Sequence, residues 1–145
     1  MNPADQKKSL DKQIISLLIE EARKAREFAY APYSHFLVGA ALMTTNGQIF
    51  RGCNVEISNF SATICAERTA LVKAVSEGYQ EFSAIAVIAD RPIPTSPCGQ
   101  CRQALNQFGP EMDVIMATTQ SDEIEVMKLS DLLPRSSRMK LPCQE

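Results

Sequence analysis

Apolar positions near the start of the chain recur three and four residues apart. Leu10, Ile14, Leu17, Leu18, Ala22, Ala25 and Ala29 form one stripe, with Lys12, Glu20, Lys24 and Glu27 between them. This spacing predicts an amphipathic helix from about Ser9 to Tyr30, stopped by Pro32. The period then changes. Phe36 to Thr44 is a short apolar run with Gly39 inside it, Asn46-Gly47 is a hairpin signal, and Gln48 to Cys53 returns as a second strand. Asn54 to Thr63 is polar and irregular and reads as a loop. A second helix is predicted from Ile64 to Ser76, ending at Gly78, with Ile64, Ala70, Leu71, Ala74 and Val75 as its buried face. The largely apolar run Phe82 to Ala89 predicts a buried strand. Pro92 and Pro94 make the next stretch a loop. Ser96-Pro97 supplies a capping hydroxyl and a proline for the first helical position, which places Cys98 and Cys101 in a first turn. Leu105 and Phe108 extend that helix, and Gly109-Pro110 ends it. Met112 to Thr118 and Glu123 to Met127 predict two more strands, Ser130 to Leu133 a helical turn, and the tail after Pro134 carries no pattern.

The predicted order, α-β-β-α-β-α-β-β, separates strands with helices, so an α/β fold with a mixed sheet and helices on its faces is expected. No repeat, low-complexity stretch or linker divides residues 1–145, which reads as one domain with a poorly defined tail. A chain of 145 residues that is 45% hydrophobic suits one real core. Its net charge of −2 argues against a nucleic-acid partner. No apolar run is long enough for a membrane span. The first eight residues lack the apolar core of a secretory signal. Five cysteines is an odd number, which argues against a complete disulfide framework and favours a reducing cytoplasm.

Three of those cysteines change the picture. They fall in two short segments, Thr63-Ile64-Cys65-Ala66-Glu67-Arg68-Thr69-Ala70 and Ser96-Pro97-Cys98-Gly99-Gln100-Cys101-Arg102. Both segments read as helix starts, and a helix N-terminus stabilises a thiolate. Cys98 and Cys101 can close on one metal from a single turn, and Cys65 supplies a third ligand from a second helix. Three protein ligands leave the fourth position of a zinc ion to water, the pattern of catalytic zinc. Glu67 lies two residues past Cys65, free to carry protons. Arg68 can donate to the thiolates and drain their charge, which otherwise makes the metal a poor Lewis acid. Taken alone, Arg68 and Glu67 would be solvated charges on a helix. Cys98 and Cys101 also fit a redox pair, but only the metal reading uses Cys65. A purely structural zinc would need Cys53, Cys143 or His35 as fourth ligand.

Cys65-Ala66-Glu67 with Pro97-Cys98-Gly99-Gln100-Cys101 has the Cys₃ pattern of zinc deaminases, with a carboxylate that does not ligate. Ala31-Pro32-Tyr33-Ser34-His35-Phe36-Leu37-Val38-Gly39-Ala40-Ala41-Leu42, Gly52-Cys53-Asn54-Val55-Glu56 and Leu132-Leu133-Pro134 add to it. From about Ala22 to Pro134 the chain resembles the small homotetrameric cytidine deaminases. The resemblance implies a three-layer α-β-α fold with a mixed five-stranded sheet. It implies Zn²⁺ on Cys65, Cys98 and Cys101, proton transfer by Glu67, and charge compensation by Arg68. It also implies Phe36, Asn54, Glu56 and Ala66 as substrate-binding residues, with Phe36 packed on the pyrimidine and Asn54 with Glu56 on the 3′-hydroxyl of the ribose. The strand-like spacing of Asn54 and Glu56 independently points both side chains the same way.

The activity so implied is hydrolytic deamination of cytidine and 2′-deoxycytidine in pyrimidine salvage, by a cytoplasmic homotetramer with shared active sites. Alternatives are a deaminase for another cytosine nucleoside such as blasticidin S, a polynucleotide-editing deaminase, and a zinc-stabilised binding protein without turnover. Asn54 and Glu56 favour the plain nucleoside, and the charge disfavours a polynucleotide. Two positions depart from the pattern. Phe60 stands where many relatives have Tyr, and Ser137 stands where a base-stacking Phe from a neighbouring subunit is expected.

Overall fold

A computed structural model of the protein describes residues 10–139. The expectations for Ser9, for the first eight residues and for Cys143 fall outside that range. The first helix, α1 (Lys12–Arg26), starts where Asp11 accepts the Ile14 amide at 2.9 Å. Such a cap is worth about 1 kcal/mol. α1 is shorter than its apolar stripe predicts. Tyr30 is drawn instead into a bridge with Val55, donating to the Asn54 carbonyl at 2.9 Å and accepting from the Glu56 amide at 2.8 Å. The buried stripe is Leu18, Ile19, Ala22 and Ala25, whereas Leu17 is exposed.

Strands β1 (Val38–Thr44) and β2 (Ile49–Cys53) form the expected hairpin, with Gly47 at φ +91° in the turn. Helix α2 (Ala66–Ser76), strand β3 (Phe82–Ala89), helix α3 (Gly99–Asn106), strands β4 (Asp113–Thr118) and β5 (Ile124–Lys128), and the short α4 (Leu129–Leu132) follow. The sheet has five strands in the order β2-β1-β3-β4-β5. Only β3 and β4 run parallel, with α3 as their crossover.

Strand residues alternate between two cores. Ile85, Val87, Val114 and Met116 face α2, α3 and α4, while Ala84, Ala86, Ile88 and Ile115 face α1. The result is three layers, α-β-α, as the sequence implies. Alanines on the α1 side let that helix approach closely. On the other side a helix also meets strand backbone directly. A Cβ on Gly52 would lie 2.4 Å from the Ala66 carbonyl oxygen and 2.4 Å from the Ala70 amide nitrogen. α2 therefore rests directly on the β2 backbone, which fixes where its first turn sits. No helix among the described residues is long and apolar enough to cross a membrane.

Candidate active site

Helices α2 and α3 begin side by side, and each begins at a cysteine. Cys65 is the N-cap of α2 (φ −69°, ψ 154°) and Cys98 the N-cap of α3 (φ −67°, ψ 167°). Neither side chain caps its own helix. The expected start of α3 is thus corrected by two residues. Ser96-Pro97 precedes the helix, and the Ser96 hydroxyl accepts from Arg102 Nη2 at 2.5 Å rather than from a first-turn amide. The predicted α2 start at Ile64 is corrected in the same way. Val55 and Ile64 exchange backbone bonds of 2.9 and 3.0 Å, which keeps Ile64 extended and partly exposed.

The thiols converge. Cys65 Sγ lies 3.8 Å from Cys98 Sγ, and Cys98 Sγ lies 3.4 Å from Cys101 Sγ. The three sulfurs all fall within 4.8 Å of one another. Ligands about 2.3 Å from a tetrahedral zinc ion stand about 3.8 Å apart, so the donor set fits the ion in both chemistry and spacing. Among the described residues no other group of three such donors lies within reach, and neither Cys53 nor His35 joins this one. Cys101 is buried, Cys65 intermediate and Cys98 exposed, so the cluster opens outward on the Cys98 side.

The electrostatics follow from this packing. A hydrogen bond from Cys101, helped by Arg68, holds the Cys65 thiol down at about 5, and burial opposes it. The same bond, with burial, pushes Cys101 well above its ordinary value. Arg68 Nη2 donates to Cys65 Sγ at 3.5 Å, and the guanidinium is held charged by that thiolate. Glu67 is 3% exposed on the first turn of α2. Burial raises its carboxyl above the usual range, against bonds from its own backbone and from Cys101. A carboxyl whose proton affinity is raised can take up a proton and release it again, as a general acid and base must.

Residues 12–118 match the family described as the cytidine and deoxycytidylate deaminase zinc-binding region. The chain belongs to that deaminase family. The cytidine deaminase of Sporosarcina psychrophila is 49% identical over 120 residues, 83% of this chain and 88% of that one. That of Halalkalibacterium halodurans is 49% identical over 119 residues, 81% of this chain and 89% of that one. The crystal structure of cytidine deaminase from Burkholderia pseudomallei superimposes with a TM-score of 0.81 at 47% identity, covering 84% of this chain and 98% of that chain.

In this deaminase family member the segment after β2 does work that the sequence did not disclose. Asn54 is buried; its Oδ1 accepts the Val38 amide at 2.9 Å and its Nδ2 donates to the Phe36 carbonyl at 2.8 Å. Glu56 Oε1 accepts the amides of Tyr33 (3.0 Å) and Ser34 (3.1 Å), and Oε2 accepts the Ser34 hydroxyl at 2.5 Å. The Ser34 hydroxyl in turn accepts the Phe36 amide at 3.1 Å. These bonds, the Ser34 hydroxyl first, hold the Glu56 carboxyl below its usual range. Both side chains therefore grip one loop, the one that presents Phe36. Each keeps spare capacity: a second Nδ2 hydrogen on Asn54 and unused lone pairs on both.

His35, between Ser34 and Phe36, has φ +57°, a left-handed conformation that helps turn the loop. Ala66 is fully buried beneath the first turn of α2, against Gly52. Phe60 lies in a 3₁₀ turn (Phe60–Ala62), 71% exposed, with its ring edge-on to Tyr33 at 5.6 Å. Ser137 runs back along α3, its carbonyl accepting from Gln103 Nε2 at 3.1 Å. Sequence reasoning assigned no role to Ser34 or Arg102. The available signals were a hydroxyl two residues before Phe36 and an arginine directly after the last cysteine.

Proposed function

We propose that the protein deaminates cytidine hydrolytically, and 2′-deoxycytidine with it, to the uracil nucleoside and ammonia. The observation that carries this reading is the convergence of three thiols beside a buried carboxyl two residues along the same helix. Cys65, Cys98 and Cys101 would hold zinc, which when bound supplies the Lewis acidity that lowers the pKa of water from about 15.7 to about 7. Arg68 and the two helix N-termini offset the charge of three thiolates.

Glu67 takes a proton from the attacking water, passes it to N3 of cytosine as C4 becomes tetrahedral, and then moves a second proton from the new C4 hydroxyl to the amino group, which leaves as ammonia while C4 becomes a carbonyl. The burial of Glu67 supports this role, since a carboxyl shielded from bulk water returns its proton to the substrate. Phe36 packs on the base. Asn54 and Glu56 receive the sugar with the capacity their loop contacts leave unused, and Ala66, at the foot of the first turn of α2, borders the base. Free cytosine should then be a poor substrate, because polar groups arranged for a sugar are left without it. A homotetramer with shared sites, acting in cytoplasmic salvage, completes the reading. Phe28, Tyr30 and Phe60, all more than half exposed, favour such an assembly.

The test is the loss of cytidine absorbance with zinc-loaded protein, with and without a chelator. Turnover that a chelator abolishes and zinc restores is the expected result. Zinc-loaded protein that binds cytidine without converting it would make the chain a binding protein instead.

A further inference from the structure

Arg102 directly follows Cys101, and its guanidinium turns back across the start of α3. Nε donates to the Pro97 carbonyl at 2.8 Å, Nη2 to the Ser96 hydroxyl at 2.5 Å, and Nη1 to the Leu132 carbonyl at 2.8 Å. The Pro97 carbonyl belongs to the peptide unit that ends at the Cys98 nitrogen. One planar group therefore bridges the residue after one thiol to the peptide before the other, and closes a ring around the Cys98–Cys101 turn. Its third arm caps the end of α4, whose last carbonyls have no helical partner. Ser96 and Arg102 are partly buried and Pro97 is buried, which limits competition from water.

We infer that Arg102 is a positioning residue that sets the bite of the Cys98–Cys101 turn on its metal and ties that turn to α4. The inference rests on the metal assignment proposed above. An arginine suits the task because its donors are fixed in one plane, whereas a lysine ammonium is a point charge on a flexible stem. Groups that orient metal ligands without touching the metal change metal affinity by about 10- to 100-fold when lost.

The experiment compares full-length, zinc-loaded wild type with Arg102→Lys, Ser96→Ala and Val87→Ala, the last a core truncation in β3. Zinc release to a chromophoric chelator is timed at a temperature where circular dichroism shows every variant folded. Arg102→Lys should release zinc at least about tenfold faster, Ser96→Ala at an intermediate rate, and Val87→Ala at the wild-type rate despite its lower Tm. Wild-type release from Arg102→Lys overturns the inference, because charge alone then suffices. Equally fast release from Val87→Ala also overturns it, because loss of stability then explains the effect. If Arg102→Lys does not fold, Ser96→Ala decides, and a wild-type rate there counts against the inference. Wild-type protein that holds no zinc fails the metal assignment itself, and the same measurement reads that separately.

Discussion

Cys65 and Cys98 hold the same position in their two helices, each at the N-cap, with sulfurs 3.8 Å apart. Cysteine is not a favoured N-cap, and neither thiol caps its helix, so something other than helix stability selects it there.

Replacing Cys98 with serine separates the two roles. Serine is the better cap, so Cys98→Ser should leave the zinc-free fold as stable as zinc-free wild type. It should nevertheless lose most of its zinc, since a hydroxyl is a poor substitute for thiolate. Elemental analysis and thermal denaturation check both halves. Full zinc content would remove Cys98 from the ligand set.

Glu67→Gln keeps the shape of the buried side chain and removes its proton chemistry. Zinc content should stay at the wild-type level while kcat falls at least about 100-fold. A kcat within a few fold of wild type would assign the proton shuttle elsewhere.

In zinc-free protein Cys65 should be a reactive thiolate at neutral pH. Cys65, held down at about 5, is a thiol below that pH and a thiolate above it, while Cys101 stays protonated well past neutrality. Thiolate absorbance near 240 nm should therefore rise through a step at about pH 5 and vanish in Cys65→Ala. A first step near the ordinary thiol range would mean that Cys101 and Arg68 do not stabilise the Cys65 anion.

Ser34→Ala removes the hydroxyl that contributes most to holding the Glu56 carboxyl low. A lost bond to the charged form raises the pKa, so Glu56 will protonate at higher pH, with the Ser34 and Tyr33 amides as its remaining partners. The acid limb of kcat/KM for cytidine should move upward in pH, with KM affected more than kcat. An unshifted limb would show that Glu56 does not govern substrate binding.

Ser137 offers no ring to stack on a base. Aromatic stacking is worth about 0.5–1.5 kcal/mol beyond buried area, so Ser137→Phe should lower KM by up to about tenfold and leave kcat nearly unchanged. The Gln103 contact is to the Ser137 carbonyl, so the substitution leaves that anchor in place. A KM that does not fall would mean that the tail stays away from the base.

Elements whose signal is local were legible in the sequence. The largely apolar run of β3 and the Asn46-Gly47 turn stand where the pattern puts them. The cysteine cluster was legible because three ligands at a known spacing leave few alternatives. What could not be read were boundaries decided by distant partners. Tyr30 leaves α1 for Val55, and the Ser96 hydroxyl leaves its expected cap for Arg102. The grip of Asn54 and Glu56 on the Phe36 loop was hidden for the same reason. Those bonds span 16 to 23 residues of chain, and polar side chains in a loop give no sign of which backbone they will find.

The paired amides of Val55 and Ile64 lie outside any strand, yet each is locked in a backbone bond to the other, and Ile64 directly precedes Cys65. Deuterium can enter such amides only when the surrounding structure opens. The peptide leading into the first cysteine should then exchange on the clock of the sheet rather than that of a surface loop. A ligand carried on so slow a segment does not wait for substrate to be set in place.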